Sequence, residues 1–129
     1  MSDLLLDTHA LLWWWGNDPR LSSAALEAIA DPDAAVHVSA ASAWEIATKH
    51  RRGRLVVPQR VISRFHEEAI AESFRHLSIS YAHARQAGLY DVAHKDPFDR
   101  MLAAQAEIES LMLVTLDRSF EDFPVTTLW

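Results

Sequence analysis

The chain has 129 residues, half of them hydrophobic, with five Trp, three Gly and no Cys. That length holds one compact domain with a real core and not two. The lack of cysteine excludes disulfides and thiolate metal sites and fits a reducing cytoplasm, while a net charge of −6 argues against indiscriminate binding to nucleic acid or anionic membrane.

In chain order, "DLLL" reads as a short buried strand. The surrounding stretch "MSDLLLDTHALLWWWG" is apolar, but Asp3, Asp7 and His9 interrupt it and no basic region leads it, so neither a signal peptide nor a membrane span is expected. Residues 8–15 look helical and stop near Gly16 and "NDPR". A second helix is expected over 22–30, with Leu21, Ala25, Leu26 and Ile29 at helical spacing and a stop at Asp31-Pro32. "VHVS" suggests a second strand, and "ASAWEIATKHRR" a helix that Gly53 can end by adopting the left-handed conformation. "LVVP" stays unclassified. Residues 61–72 carry a helical pattern, "RHLSIS" can hold a third strand, and 81–87 a short helix. The helix over 96–107 leads into "LMLVTL", a clear buried strand, and "VTTLW" closes the chain as a last strand. Short apolar strands alternating with helices indicate one α/β domain with a mostly parallel sheet, and no repeat, low-complexity segment or linker is visible.

Asp7 directly follows the first strand and Asp117 the fourth, and Glu45 sits early in the helix after the second. Asp96 and Asp99 open the helix that precedes "LMLVTL". In a parallel α/β sheet such positions gather at the carboxyl edge, where ligands usually bind. Five carboxylates from four segments can therefore converge, a costly cluster unless cations neutralise it. Hard ions such as Mg²⁺ or Mn²⁺ suit oxygen ligands, and zinc is disfavoured by the absence of Cys and of paired His. Carboxylate-held Mg²⁺ polarises phosphoryl oxygens and activates water, so phosphodiester hydrolysis is the natural chemistry.

Each acid also has an ordinary structural role open to it. Asp7 can cap a helix, Glu45 can pair with Lys49 on an exposed helix face, and Asp117 can serve a turn. Asp96 suits an N-cap before Pro97, which places Asp99 at the third helical position, where a carboxylate favours the helix dipole. Local reasoning leaves both readings standing.

The pieces "LLLDTHALLWW", "VSAASAWEIATKHRRGRL", "HKDPFDRMLAAQA", "LVTLDRSF" and "TTLW" together resemble the PIN-domain ribonucleases, specifically the VapC-type toxins of type II toxin–antitoxin systems. They occur in family order over nearly the whole chain. The resemblance implies a PIN domain over 1–129, a three-layer α/β/α sandwich, and Mg²⁺-dependent hydrolysis of RNA, with Mn²⁺ as the other candidate metal. By position, Asp7, Glu45, Asp99 and Asp117 match the family's four acids, and Asp96 is an additional acid of the "DPFDR" subgroup, as ligand, outer partner or cap. Metal would be held by Asp7, Asp99, Asp117 and Asp96, with Glu45 holding a second metal or orienting water. Thr8 and Thr115 would be helpers that hydrogen-bond the carboxylates. The resemblance further implies a homodimer and a cognate antitoxin that blocks the acidic groove.

"KHRRGR" is the densest basic stretch, and Lys49, Arg51, Arg52 and Arg54 can contact RNA phosphates or simply favour a helix C-terminus. Arg100 is expected to ion-pair with Asp99. Trp13, Trp14 and Trp15 cannot share one helix face, so at least one ring is expected outward, as a core edge or as an interface anchor. His9 and His94 lie near the acids and are expected to make ordinary hydrogen bonds. Two other functions are open to an acid after the first strand. A phospho-aspartate phosphatase wants a second aspartate two residues after Asp7, where His9 stands. A non-catalytic binding module of the same fold would have lost core acids, which are all present.

Overall fold

The protein is described by a computed structural model over residues 3–129, so the first two residues of the apolar leading stretch lie outside the description. The chain alternates as expected: β1 (Leu4–Leu6), α1 (Thr8–Trp15), α2 (Ser23–Ala30), β2 (Val36–Ser39), α3 (Ala40–Arg51), α4 (Gln59–Ser63), α5 (Phe65–Ala71), β3 (Arg75–Leu77), α6 (Tyr81–Leu89), α7 (Pro97–Glu109), β4 (Met112–Val114) and β5 (Thr127–Leu128). The five strands form one sheet in the order β3-β2-β1-β4-β5, and every pairing is parallel.

Two cores explain the three layers. Successive strand residues face opposite sides of a sheet. Leu4, Leu6, Val36, Val38 and Val114 accordingly pack with Leu11, Ala25, Ile29, Val61 and Ala69 of α1, α2, α4 and α5 on one side. Leu5 and Leu113 pack with Ala87, Leu102, Ala103 and Phe120 on the other, under α6, α7 and the segment after β4. β1 and β4 thus have a core on each face, which is why "LLL" and "MLV" read as unbroken apolar runs. Fully burying one such Leu stabilises the fold by about 1.5–3 kcal/mol relative to leaving it exposed.

Caps sit where local chemistry places them. Asp7, Ser22, Ser39, Ser80 and Asp96 each accept a hydrogen bond from a backbone amide at the start of a helix. After α3, the amides of Gly53 and Arg54 return to the carbonyls of His50 and Lys49, with Gly53 at φ 70°, a closure that favours glycine.

Three sequence expectations need correction. The single helix expected over 61–72 is two short helices, α4 and α5, because Arg64 leaves helical geometry (φ −135°, ψ 35°). Ser63 Oγ bonds back to the Gln59 carbonyl just before the break, a competing bond that weakens helix continuation. A 3-10 turn, Arg118–Asp122, follows β4 where no helix was expected. Its signal was local: Asp117 accepts from the Ser119 amide. Trp13, Trp14 and Trp15 are all half-buried rather than split between core and solvent. Trp13 meets Trp129, Trp14 meets Phe74, and Trp15 meets Phe65. Among the described residues, no helix is long and apolar enough to cross a membrane.

Candidate active site

The strand order reverses direction at the sheet centre: β2 and β3 extend to one side of β1, β4 and β5 to the other. Such a switch point opens a crevice at the carboxyl ends of the strands. Leu6 pairs with Val38 on one side and Val114 on the other, so the residues that follow, Asp7, Ser39 and Thr115, emerge at one edge. Among the described residues, the buried polar side chains are Asp7, Thr8, Ser39, Ser42, Glu45, His83, Gln105 and Thr115. All but His83 belong to this edge or bond to it.

Asp7 is held from two directions. Its Oδ1 caps α1 by accepting from the Ala10 amide at 2.7 Å. Its Oδ2 accepts from the Thr115 hydroxyl at 2.6 Å, across 108 residues of chain. Burial raises its pKa against those two bonds and His9, and Glu45 adds to the rise. One side chain thus caps α1 and ties it to the residue after β4, one oxygen for each neighbour.

Glu45 is delivered by α3. It is only 4% exposed, which corrects the expectation of an exposed-face pair. The pair with Lys49 does form, between Lys49 Nζ and Glu45 Oε2, but with the carboxylate inside the fold. Its other oxygen accepts from the Thr8 hydroxyl at 2.6 Å, and Thr8 Oγ1 also lies 3.1 Å from Ser42 Oγ. Ser42 and Glu45 are one turn apart on the same helix face. Sequence reading missed Ser42; its spacing of three from Glu45 was the available signal. It also missed Gln105, a lone polar residue on the apolar face of α7, which accepts from Ser39 Oγ.

Asp96 and Asp99 open α7. Asp96 Oδ1 accepts from the amides of Phe98 at 2.9 Å and Asp99 at 3.1 Å, a complete N-cap. Asp99 Oδ2 lies 2.8 Å from His94 Nε2. Burial pushes the Asp99 carboxyl up to about 6; the His94 hydrogen bond opposes this, and the charges of Asp96 and Glu45 reinforce it. Burial is thus the main cause of both rises, and Glu45 is a common neighbour that adds to each.

Asp117 stands at the rim and is exposed. Burial pushes its pKa up, yet bonds from the Ser119 hydroxyl and amide, with His94 and His9 nearby, outweigh it and hold the carboxyl below its usual range. Its amide donates to Thr115 Oγ1 at 3.0 Å, so Thr115 ties Asp7 and Asp117 together.

Arg100 does not pair with Asp99. Its guanidinium donates to the carbonyls of Ala87, Val92, His94 and Tyr90 at 2.6–3.0 Å. The planar fork suits several carbonyls at once, and these sit at and beyond the C-terminus of α6, where cations are favoured. Arg100 thereby fixes the loop that carries His94. The basic stretch divides: Lys49 is spent on Glu45, whereas Arg51, Arg52 and Arg54 are exposed and, among the described residues, form no ion pair.

The donor set fits a divalent cation: carboxylates only, two of them lifted by burial and mutual repulsion that a cation would relieve. Among the described residues no three acidic or histidine side chains already stand at ligating distance from one another. Each is tied to its own partner, Asp7 to Thr115, Glu45 to Thr8 and Lys49, Asp99 to His94.

The chain is 34% identical to Ribonuclease VapC22 of Mycobacterium tuberculosis over 119 residues, covering 92% of this chain and 89% of that protein. Its fold superposes on DNA-bound VapBC from Salmonella typhimurium with a TM-score of 0.69 at 21% identity, over 99% of this chain and 98% of that one. A toxin–antitoxin complex from Klebsiella pneumoniae gives 0.68 at 18% identity, over 98% and 97%. The sequence profile of the PIN domain matches residues 4–125. This chain belongs to the PIN-domain family.

Proposed function

We propose that the chain is a divalent-metal-dependent endoribonuclease, a toxin held in check by a cognate antitoxin in the cytoplasm. The observation that carries the reading is the gathering of Asp7, Glu45 and Asp99 at the crevice of the sheet, with Asp7 and Glu45 buried and the carboxyls of Asp7 and Asp99 raised, chiefly by burial. The 34% identity to a named ribonuclease supports the substrate class, and neighbours solved as toxin–antitoxin complexes support the partner.

Asp7, Asp99, Asp117 and, on its free oxygen, Asp96 would hold Mg²⁺ or Mn²⁺. Such an ion polarises a phosphoryl oxygen and makes water a usable nucleophile near neutral pH. Thr115 keeps Asp7 oriented and partly offsets its burial. Thr8 and Lys49 fix both oxygens of Glu45, which then serves as an oriented acceptor for the attacking water or a second metal. Arg51, Arg52 and Arg54 are free to meet phosphates flanking the scissile bond. The antitoxin and a homodimer partner need apolar anchors, and a hollow of about 340 Å³ beside Trp13 and Trp15, lined also by Leu55 and Val57, supports such docking.

Purified chain stripped with EDTA should cut tRNA, rRNA or mRNA only after Mg²⁺ or Mn²⁺ is restored, and Asp7→Asn should abolish cutting. No cleavage of any of the three with either metal, together with an Asp7→Asn protein that behaves identically, would refute the proposal.

A further inference from the structure

The acids alone are a poor surface for RNA. The chain is acidic overall, and a carboxylate edge repels phosphates until cations offset it. Besides bound cations and the exposed Arg51, Arg52 and Arg54, contacts that carry no charge can add affinity.

The crossing of α3 and α7 supplies such a contact. Trp44 directly precedes Glu45 on α3, and Phe98 directly precedes Asp99 on α7. Consecutive helix positions point about 100° apart, so as Glu45 and Asp99 turn inward, their neighbours turn toward the rim. There the two rings meet edge-on, with centroids 4.7 Å apart and planes at 74°. Trp44 is 55% exposed, whereas Trp13, Trp14 and Trp15 are half-buried among other rings. An edge-on pair leaves at least one face of the indole uncovered by Phe98. Trp44 is therefore a large flat apolar surface, braced by a second aromatic, beside the acids.

We propose that Trp44, backed by Phe98, is the platform on which one base of the RNA strand stacks. The proposal rests on the nuclease reading above and adds a residue that contacts the substrate. Unpaired bases present π-faces that duplex RNA hides, and stacking tolerates any base and needs no positive charge.

The test uses the full chain carrying Asp7→Asn, which removes cleavage, and a fluorescein-labelled single-stranded oligoribonucleotide of mixed sequence in Mg²⁺. Anisotropy gives Kd for Trp44, Trp44→Ala and Trp44→Phe, each also with oligonucleotides bearing one abasic ribose at successive positions. Expected are a weakening of roughly 5- to 150-fold for Trp44→Ala and recovery of most of it in Trp44→Phe. One abasic position should weaken the Trp44 protein and have no further effect on Trp44→Ala. An unchanged Kd, or an abasic penalty that persists in Trp44→Ala, overturns the proposal. So does a change of self-association in light scattering with RNA affinity unaltered, which would mark Trp44 as a contact between copies of the chain. The underlying nuclease reading is scored separately, by metal-dependent cleavage of the same oligonucleotide with Asp7 intact. Cleavage with a KM indifferent to Trp44→Ala sinks the stacking alone, and absence of both cleavage and binding sinks both.

Discussion

Replacing Asp99 by Asn should inactivate the protein and stabilise it at once. In the fold, burial first and then the neighbouring Asp96 and Glu45 raise the Asp99 carboxyl from 3.8 to about 6, against the His94 bond. An acid raised in the folded state binds more protons folded than unfolded, so its contribution is fully favourable below 3.8 and is lost as pH rises through about 6. At pH 7.5 the fold therefore carries an ion it disfavours by on the order of 2–3 kcal/mol. Asparagine is the isostere of the neutral acid and still accepts from His94. Without metal, Asp99→Asn should be more stable than the parent by that amount near pH 7.5, and equal to it in strong acid. Urea unfolding in EDTA, followed by circular dichroism in steps of pH from acid to 7.5, reads the difference directly. Adding Mg²⁺ at pH 7.5 should then close part of the gap, since a ligand that binds only the parent's folded state stabilises only the parent. Parallel stability profiles for the two proteins, or a variant less stable at pH 7.5, would refute the reasoning.

The same logic reaches the neighbouring acids. Asp96→Asn should keep the cap, with stability changed by only a few tenths of a kcal/mol, whereas Asp96→Ala should lose about 0.5–2 kcal/mol. If Asp96 also holds metal, both lose cleavage; full activity in Asp96→Asn would reduce it to a cap. Thr115→Val takes the donor from Asp7 Oδ2 and the acceptor from the Asp117 amide, which should destabilise the fold by about 1–3 kcal/mol. Because the Thr115 bond lowers the Asp7 pKa, its removal should also move the rising limb of the pH–rate profile to higher pH, and an unmoved limb would count against Asp7 acting as an anion.

Much of the fold was legible because its signals are local. The apolar triplet of β1 and "VHVS" of β2 needed no partner to be recognised, and capping by Asp7 and Asp96 depends on amides two or three residues away. The helix over 61–72 misled because its apolar spacing continues through Arg64, while the break is a backbone event that periodicity does not record. The acids were legible as types at strand ends and helix starts. Their states were not, since burial of Glu45 depends on where α3 lies against α1 and α7.

Arg100 and Trp44 show the same division more sharply. Beside Asp99 in sequence, Arg100 invites an ion pair, but neighbours on a helix point apart, and the tertiary fold offers it carbonyls at the end of α6 instead. Trp44 is one of five tryptophans in the sequence, and only the crossing of α3 with α7 sets it beside Phe98 and leaves it exposed. By itself, the sequence determined the succession of strands and helices, their caps, and which carboxylates stand at element ends, because those follow from interactions within a few residues. Strand order, and with it the bond from Thr115 to Asp7 across 108 residues, the shared neighbour Glu45 and the raised pKa of Asp99, was decided by tertiary packing. These depend on which segments are buried together, and burial and Coulombic repulsion act through space rather than along the chain.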